Sequence, residues 1–216
     1  VPRLVTVDAH PLLELRWFEA RWPAPLGELA CPPWLDALVR LDDPPLPAPG
    51  PDDPARVREL LRHGGFRPSG RSKPCNEYIR NAAAEGRFPR INPAVDLTNL
   101  AALHGGLPVS TVDPDRLGEP LRVGLAAAGS QYVFNASGQV LDTGGLLCLF
   151  DAEGPCANAV KDAQRAKTTP ASTSTLTLVW GTAGWPGRAD LVLEWHVEHA
   201  RRLGAELHVP LRHRSC

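Results

Sequence analysis

Apolar and polar positions alternate over two short segments early in the chain, LVTV from residue 4 and LELRWF from residue 13, with a break at Pro11. A period of two predicts strands, because successive side chains of an extended chain point to opposite faces. Further on the period lengthens to that of a helix. Asp53 and Pro54 read as an N-cap and a first helical residue. Val57, Leu60 and Leu61 supply the apolar stripe, and Gly64 with Gly65 ends it. A second helix is expected over residues 75–85, with Tyr78, Ile79 and Ala82 turned inward and Gly86 as the stop. Pro93 opens a third, over 94–104, whose apolar face is Leu97, Leu100, Ala101 and Leu103.

After Gly105 and Gly106 the pattern shortens again. LRVGLA from Leu121, YVF from Tyr132, GLLCLF from Gly145 and STLTLVW from Ser174 are separated by Gly, Asn and Asp and read as strands. A last helix over 189–203 precedes a last strand, ELHVPL from Glu206. Residues 21–54 behave differently. Pro44, Pro45, Pro47, Pro49, Pro51 and Pro54 each lack a backbone donor, so no regular helix or central strand runs through them. The run WLDALVRL from Trp34 is a candidate short helix within that connection. The expected class is α+β, with a mixed, mostly antiparallel sheet flanked by helices. The expected organisation is a single domain over 1–216, with 21–54 as a connection or lid.

Composition narrows the function classes. The chain has 216 residues, 43% hydrophobic and 22% charged, and a formal net charge of −1. A global basic field is absent, so nucleic-acid binding needs a local patch. The longest uncharged run, 123–141, carries Ser130, Gln131, Asn135, Ser137 and Gln139, which are costly in hydrocarbon. Neither a membrane span nor a signal peptide is expected. Five cysteines, Cys31, Cys75, Cys148, Cys156 and Cys216, are widely spaced with no C-x-x-C. That points to reduced thiols and a cytoplasmic setting, with Cys216 exposed and open to crosslinking.

Several motifs stop short of a chemistry. GFRPSGRS from Gly65 has the spacing of a phosphate loop, but Arg71 stands at the lysine position and a helix precedes it where a strand is required. Arg67, Arg71, Lys73, Arg80, Arg87 and Arg90 crowd residues 67–90. They form either a solvated face paired with Glu77 and Glu85 or a phosphate-contacting patch. His196 and His199 lie three apart on the last helix without the H-E-x-x-H spacing or a third ligand, so no metal is expected. G-x-S-x-G is absent, and no Cys has a nucleophile's context.

The run RINPAVDLTNLAALHGGLPVSTVD, residues 90–113, supplies a further lead. It resembles the tRNA-editing domain of the phenylalanyl-tRNA synthetase beta subunit, built from that subunit's third and fourth modules. The family form is I-N-x-V-V-D-x-T-N, a short helix, then Q-P-L-H-A-F-D. Ile91, Asn92, Val95, Asp96, Thr98, Asn99, Pro108 and Asp113 match it, and DPDRLG from Asp113 matches the D-x-D-K-L segment that follows. RAKTTPASTSTLTLVW from Arg165 resembles the family's threonine-containing turn into a central strand. The resemblance is strongest over residues 65–180. The loop SGRSKP from Ser69 is closer to free-standing proteins of this type. No catalytic core of a synthetase is visible, so the chain is not a ligase by itself.

The resemblance implies a tRNA-binding protein that hydrolyses a mischarged aminoacyl ester in trans, with no cofactor. The implied partner is the tRNA acceptor end, with neither DNA nor a membrane. Asn99 matches a polar pocket residue, and Ser110 stands where the family has a pocket histidine. Ala163, beside Asp162, falls near the family's tyrosine-recognising glutamate, which puts tyrosine selectivity in doubt. On this reading Asn99, Ser110 and Thr168 (or Thr169) are the catalytic candidates, and Asn92, Asp162 and Ala163 the substrate-binding ones. Arg67, Arg71, Lys73, Arg165 and Lys167, with Lys161, would meet RNA. Asp96 is expected to hold the loop around Asn92. Two alternatives stay open: an RNA-binding module without catalysis, and an amino-acid sensor using the former pocket.

Overall fold

The computed structural model describes residues 3–210; the expectation for Cys216 lies outside them. Both alternating segments near the start are strands, β1 (Val5–Val7) and β2 (Leu13–Arg21). The Pro-rich stretch holds one short helix, α1 (Pro33–Ala37), and otherwise wraps the core. Leu26, Leu35 and Leu46 are buried. The carbonyl of Leu38 meets His104 Nε2 at 2.9 Å and that of Pro47 accepts from Arg188 at 2.8 Å. A segment without its own ladder thus has its polar backbone bonded by core side chains.

Three helices follow: α2 (Asp53–Arg62), α3 (Cys75–Ala84) and α4 (Pro93–Gly105). The N-cap of α2 is Asp52. Asp53 lies one residue further in, where its carboxylate takes the Gly50 N–H at 2.7 Å and Arg56 at 2.9 Å. On α3 only Ile79 and Ala82 are buried; Tyr78 points outward and is 63% exposed, against expectation. One residue is about 100° of helix, enough to move a neighbour of Ile79 off the core face. Helix α4 is buried on nearly every side, as befits an apolar helix inside a core. Asn92 caps it by accepting the Val95 N–H at 3.0 Å, and Asp96 accepts the Ile91 N–H at 2.8 Å.

The strand-rich part comprises β3 (Val109–Val112), β4 (Leu121–Leu125), β5 (Gln131–Val133), β6 (Val140–Asp142), β7 (Leu147–Asp151), β8 (Gly154–Asn158) and β9 (Ser174–Thr182). Helix α5 (Arg188–Arg202) and β10 (Glu206–His208) complete the described chain. One sheet has the order β1-β4-β7-β8 and is antiparallel except where β1 runs parallel to β4. A second, wholly antiparallel, has the order β10-β2-β9-β3. The hairpin β5-β6 stands apart. The class is therefore α+β, with mixed and antiparallel sheets flanked by helices, divided between two four-stranded sheets. Strand β9 lies at the centre of the second sheet, buried from Thr175 onward, and pairs with β2 from Leu13 opposite Thr182 to Arg21 opposite Ser174. Helices α4 and α5 cross closely at Gly105, where a Cβ would fall 2.6 Å from Val192.

Candidate functional site

The site forms where the start of α3, strand β3 and the 158–167 loop meet. Cys75 ties α3 to both neighbours: its N–H donates to the Ala159 carbonyl at 2.9 Å and its thiol to that of Val109 at 3.6 Å. Asn158 organises the loop. Its side-chain oxygen accepts the N–H groups of Val160 (2.8 Å) and Lys161 (3.0 Å), a turn that asparagine makes readily. Its amide nitrogen donates to the Tyr132 hydroxyl, which donates in turn to the Lys161 carbonyl at 2.5 Å. The Asn158 N–H donates to Asp162 at 3.2 Å, and its carbonyl accepts the Ser110 hydroxyl at 2.9 Å.

Asp162 is the chemically distinctive group. Burial pushes its carboxyl up to about 6, against the opposing pull of the Ser110 hydroxyl, the Asn158 N–H and Lys167. It nevertheless keeps some accessible surface. A carboxyl so placed exists in both protonation states near neutrality, as acid–base work requires. Two lysines flank it. Burial lowers Lys167, whose ammonium donates to the Phe134 carbonyl at 2.5 Å. Lys161 is also lowered, by burial first and then by Arg71 and Lys167, and its ammonium lies 4.1 Å from the centre of the Phe134 ring. Lys161 thus lies within electrostatic reach of Arg71 and Lys167, and Lys167 also acts on Asp162.

The basic run of 67–90 divides. Glu77 is taken by Arg58 in two bonds of 2.7 and 2.6 Å, and Arg87 pairs with Glu85. Arg90 pairs with Asp36 and Asp96. Arg67, Arg71, Lys73 and Arg80 are exposed and have no acidic partner among the described residues. Arg71 lies in a 3-10 turn, Gly70–Ser72, preceded by helix α2, so the phosphate-loop geometry is absent.

The remaining candidates fall in different places. Asn99 is half-buried on α4, with no protein partner for its amide among the described residues. It shares a helix stripe with the cap residue Asn92, seven positions earlier. Thr168 is likewise half-buried and unpartnered, whereas Thr169 bonds Ser172. Ser110 is buried and engaged twice, donating to Asn158 and accepting Trp180 Nε1 at 3.0 Å. Ala163 is fully buried, its N–H on the Cys156 carbonyl. Arg165 is spent on the fold: it grips the buried Asp151 carboxylate in two bonds of 2.6 Å. Burial holds the thiols of Cys75 and Cys148 up to about 12, far from a thiolate nucleophile.

No family model and no curated protein matches the sequence. Among solved structures, one similar to this chain is a crystal structure of an N-terminal fragment of the phenylalanyl-tRNA synthetase beta-subunit from Pyrococcus horikoshii. The two align with a TM-score of 0.45 and 13% identity, over 53% of this chain and 41% of that one. The chain spans less than half of that fragment, and the likeness is partial.

Sequence reasoning did not find Asn158 and Tyr132, which shape the site from behind. The signal for Asn158 was slight, an Asn-x-x-Lys-Asp run after an apolar strand. It also missed a buried hydroxyl chain in which Thr111 meets Thr98 at 2.6 Å and Thr177 at 2.9 Å. Open grooves lie elsewhere: one of about 490 Å³ is lined by Pro54, Arg58, Arg62 and Arg80, another of about 390 Å³ by Gly64, Gly129 and Gly145. Neither has a lining residue in the Asp162 group, so chemistry rather than volume marks the site. No helix among the described residues is long and apolar enough to cross a membrane. Among the same residues no three His, Cys, Asp or Glu side chains gather as metal ligands do.

Proposed function

We propose that this protein binds the acceptor end of a tRNA and hydrolyses an aminoacyl ester held beside Asp162. The carrying observation is the set of exposed cations, Arg67, Arg71, Lys73 and Arg80, that no described acid neutralises, in a chain whose net charge is −1. Unpaired arginines in a polar loop suit phosphate oxygens. The sequence resemblance of residues 90–113 to the synthetase editing domain supports the choice of tRNA.

An aminoacyl ester is already activated, so its hydrolysis needs a positioned water and a stabilised oxyanion. In this reading the ionised form of Asp162 accepts a proton from the water. Lys167 and the adjacent, unpartnered Thr168 supply donors to the developing oxyanion, and Asn99 is assigned a third on the strength of the sequence resemblance alone. Ser110, bonded on both sides, fixes the Asn158 loop. That same engagement of Ser110, with the burial of Ala163, favours a second reading, an RNA-binding protein without catalysis.

The test is release of amino acid from a panel of correctly and incorrectly charged tRNAs, with tRNA affinity measured alongside. Asn99→Ala is expected to slow release by roughly 10²-fold, the scale for loss of one oxyanion donor, and to leave affinity unchanged. Binding without release from any member of the panel would establish the second reading. Absence of tRNA binding would overturn both.

A further inference from the structure

Among the described residues Tyr78 is the only Phe, Trp or Tyr left exposed. Its place on α3 is defined by its neighbours. Ile79 and Ala82 enter the core. Glu77 and Arg80 line the groove shared with Arg58 and Arg62 of α2. Tyr78 is about 100° from Glu77 and about 160° from Arg80 around the helix. Asn81, which also lines that groove, and Cys75 each lie about 60° from Tyr78 on opposite sides, so Tyr78 leaves α3 between the groove and the edge that carries Cys75. Cys75 is the residue bonded to Ala159 and Val109 at the edge of the Asp162 loop.

The direction of the side chain adds a second constraint. Long side chains on a helix lean toward its N-terminus and cover the turn before their own Cα. For Tyr78 that is the first turn of α3, which the chain enters from the Gly70–Ser72 turn with its Arg71 and from Lys73 after it, both exposed and without an acidic partner among the described residues. An open ring thus follows two free cations on the opening turns of α3, the helix whose start is bonded to the Asp162 loop through Cys75.

Cations alone suit any phosphate backbone. An exposed ring among them suits a single strand, whose unpaired bases offer a π-face that a duplex keeps hidden. We propose that Tyr78 is a stacking platform for an unpaired base at the single-stranded 3′ end of the bound RNA, with Arg71 and Lys73 on the adjoining phosphates. The proposal rests on the RNA-binding reading above and adds the residue that selects an unpaired end.

The experiment uses the full chain and a single-stranded RNA octamer with 2-aminopurine next to its 3′ end, beside a blunt RNA duplex. Stacking quenches 2-aminopurine, and titration gives the affinity. Wild-type protein is expected to quench the octamer. Tyr78→Ala is expected to lose the quench and to bind the octamer about 5- to 150-fold more weakly, with its salt dependence and duplex affinity unchanged. Tyr78→Trp should retain both properties, and Lys73→Ala should reduce the salt slope by about 0.7 while keeping the quench. If Tyr78→Ala binds and quenches like wild type, the platform is overturned and the RNA reading stands. If wild type binds neither RNA, both are overturned.

Discussion

Arg165 offers a clean division between a residue that holds the fold and one that meets RNA. Its guanidinium makes two bonds of 2.6 Å to Asp151, whose side chain is 0% exposed while that of Arg165 is 30% exposed. Gly118 and Glu153 add their N–H groups to the same carboxylate. Arg165→Ala leaves the carboxylate buried without its counter-charge, a change that costs about 3–5 kcal/mol in comparable pairs. Because water reaches one side of Arg165, the lower end, about 3 kcal/mol, is expected. With a urea m-value of about 2.5 kcal/mol/M for a chain of this size, the midpoint falls by roughly 1.2 M. The melting temperature falls by roughly 6–12 °C. The pH dependence carries a sign. Burial alone would raise the Asp151 carboxyl, but Arg165 and the Gly118 and Glu153 amides outweigh it and hold it below its ordinary value. A carboxyl lowered by folding contributes stability that is full above the unfolded value of about 3.9 and is lost as the pH falls through the folded one. In Arg165→Ala burial prevails and the carboxyl rises instead. The gap between the two proteins should be widest near neutrality and close in acid. Urea titrations from pH 7 to 3 measure it. A midpoint shift below about 0.3 M at pH 7, or weaker RNA binding with stability intact, would refute the assignment.

Arg71→Ala and Lys73→Ala should each reduce the slope of log affinity against log salt by about 0.7 for a single strand, measured by RNA titration across salt; unchanged slopes would remove them from the interface. His196 packs edge-on to Phe18 with its ring centre 5.0 Å away, and burial, then His199, lowers its pKa to about 3. The folded ring stays neutral while the unfolded one protonates below about 6.5, so stability is full above that value and falls by about 1.4 kcal/mol per pH unit below it. His196→Leu should lose about 2 kcal/mol less than wild type between pH 7 and pH 5, by denaturant titration at both; equal losses would mean that the folded ring is charged.

Most elements were legible where one face is buried and the other is not, although β6, only three residues long, was missed despite its alternation. Residues 13–21 alternate, the Val57, Leu60 and Leu61 stripe repeats at helical spacing, and Gly86 and Gly106 stop helices in left-handed conformations. Strand β3 escaped notice because all four of its residues are buried, so nothing alternates. Strand β8 escaped because its sequence, GPCAN, carries a Gly and a Pro at an irregularity in the ladder to β7. Tyr78 was read inward because its spacing to Ala82 is helical, and periodicity does not say how wide the buried stripe is. In the site, the loop cations Arg67, Arg71 and Lys73 were legible as a cluster. The capture of Arg165 by Asp151 was not, since it depends on β7 lying beside the 164–166 turn. The role of Ser110 was hidden likewise, because its partners Asn158 and Trp180 come from strands distant in sequence.

The pairing of β2 with β9 has a consequence for how the protein is made. Residue 13 finds its place opposite residue 182, and residue 21 opposite residue 174. At about 5–20 residues per second a ribosome needs roughly 8–30 s to supply the partner after β2 emerges. For that time Phe18 and Ala20, buried in the finished sheet, have no strand to lie against. Helices α3 and α4 need no such wait, since they can pack as soon as both exist, whereas α2 packs on β9. Assembly should therefore begin in the helical middle of the chain and close around it, with the second sheet formed late and at a rate limited by this long-range contact.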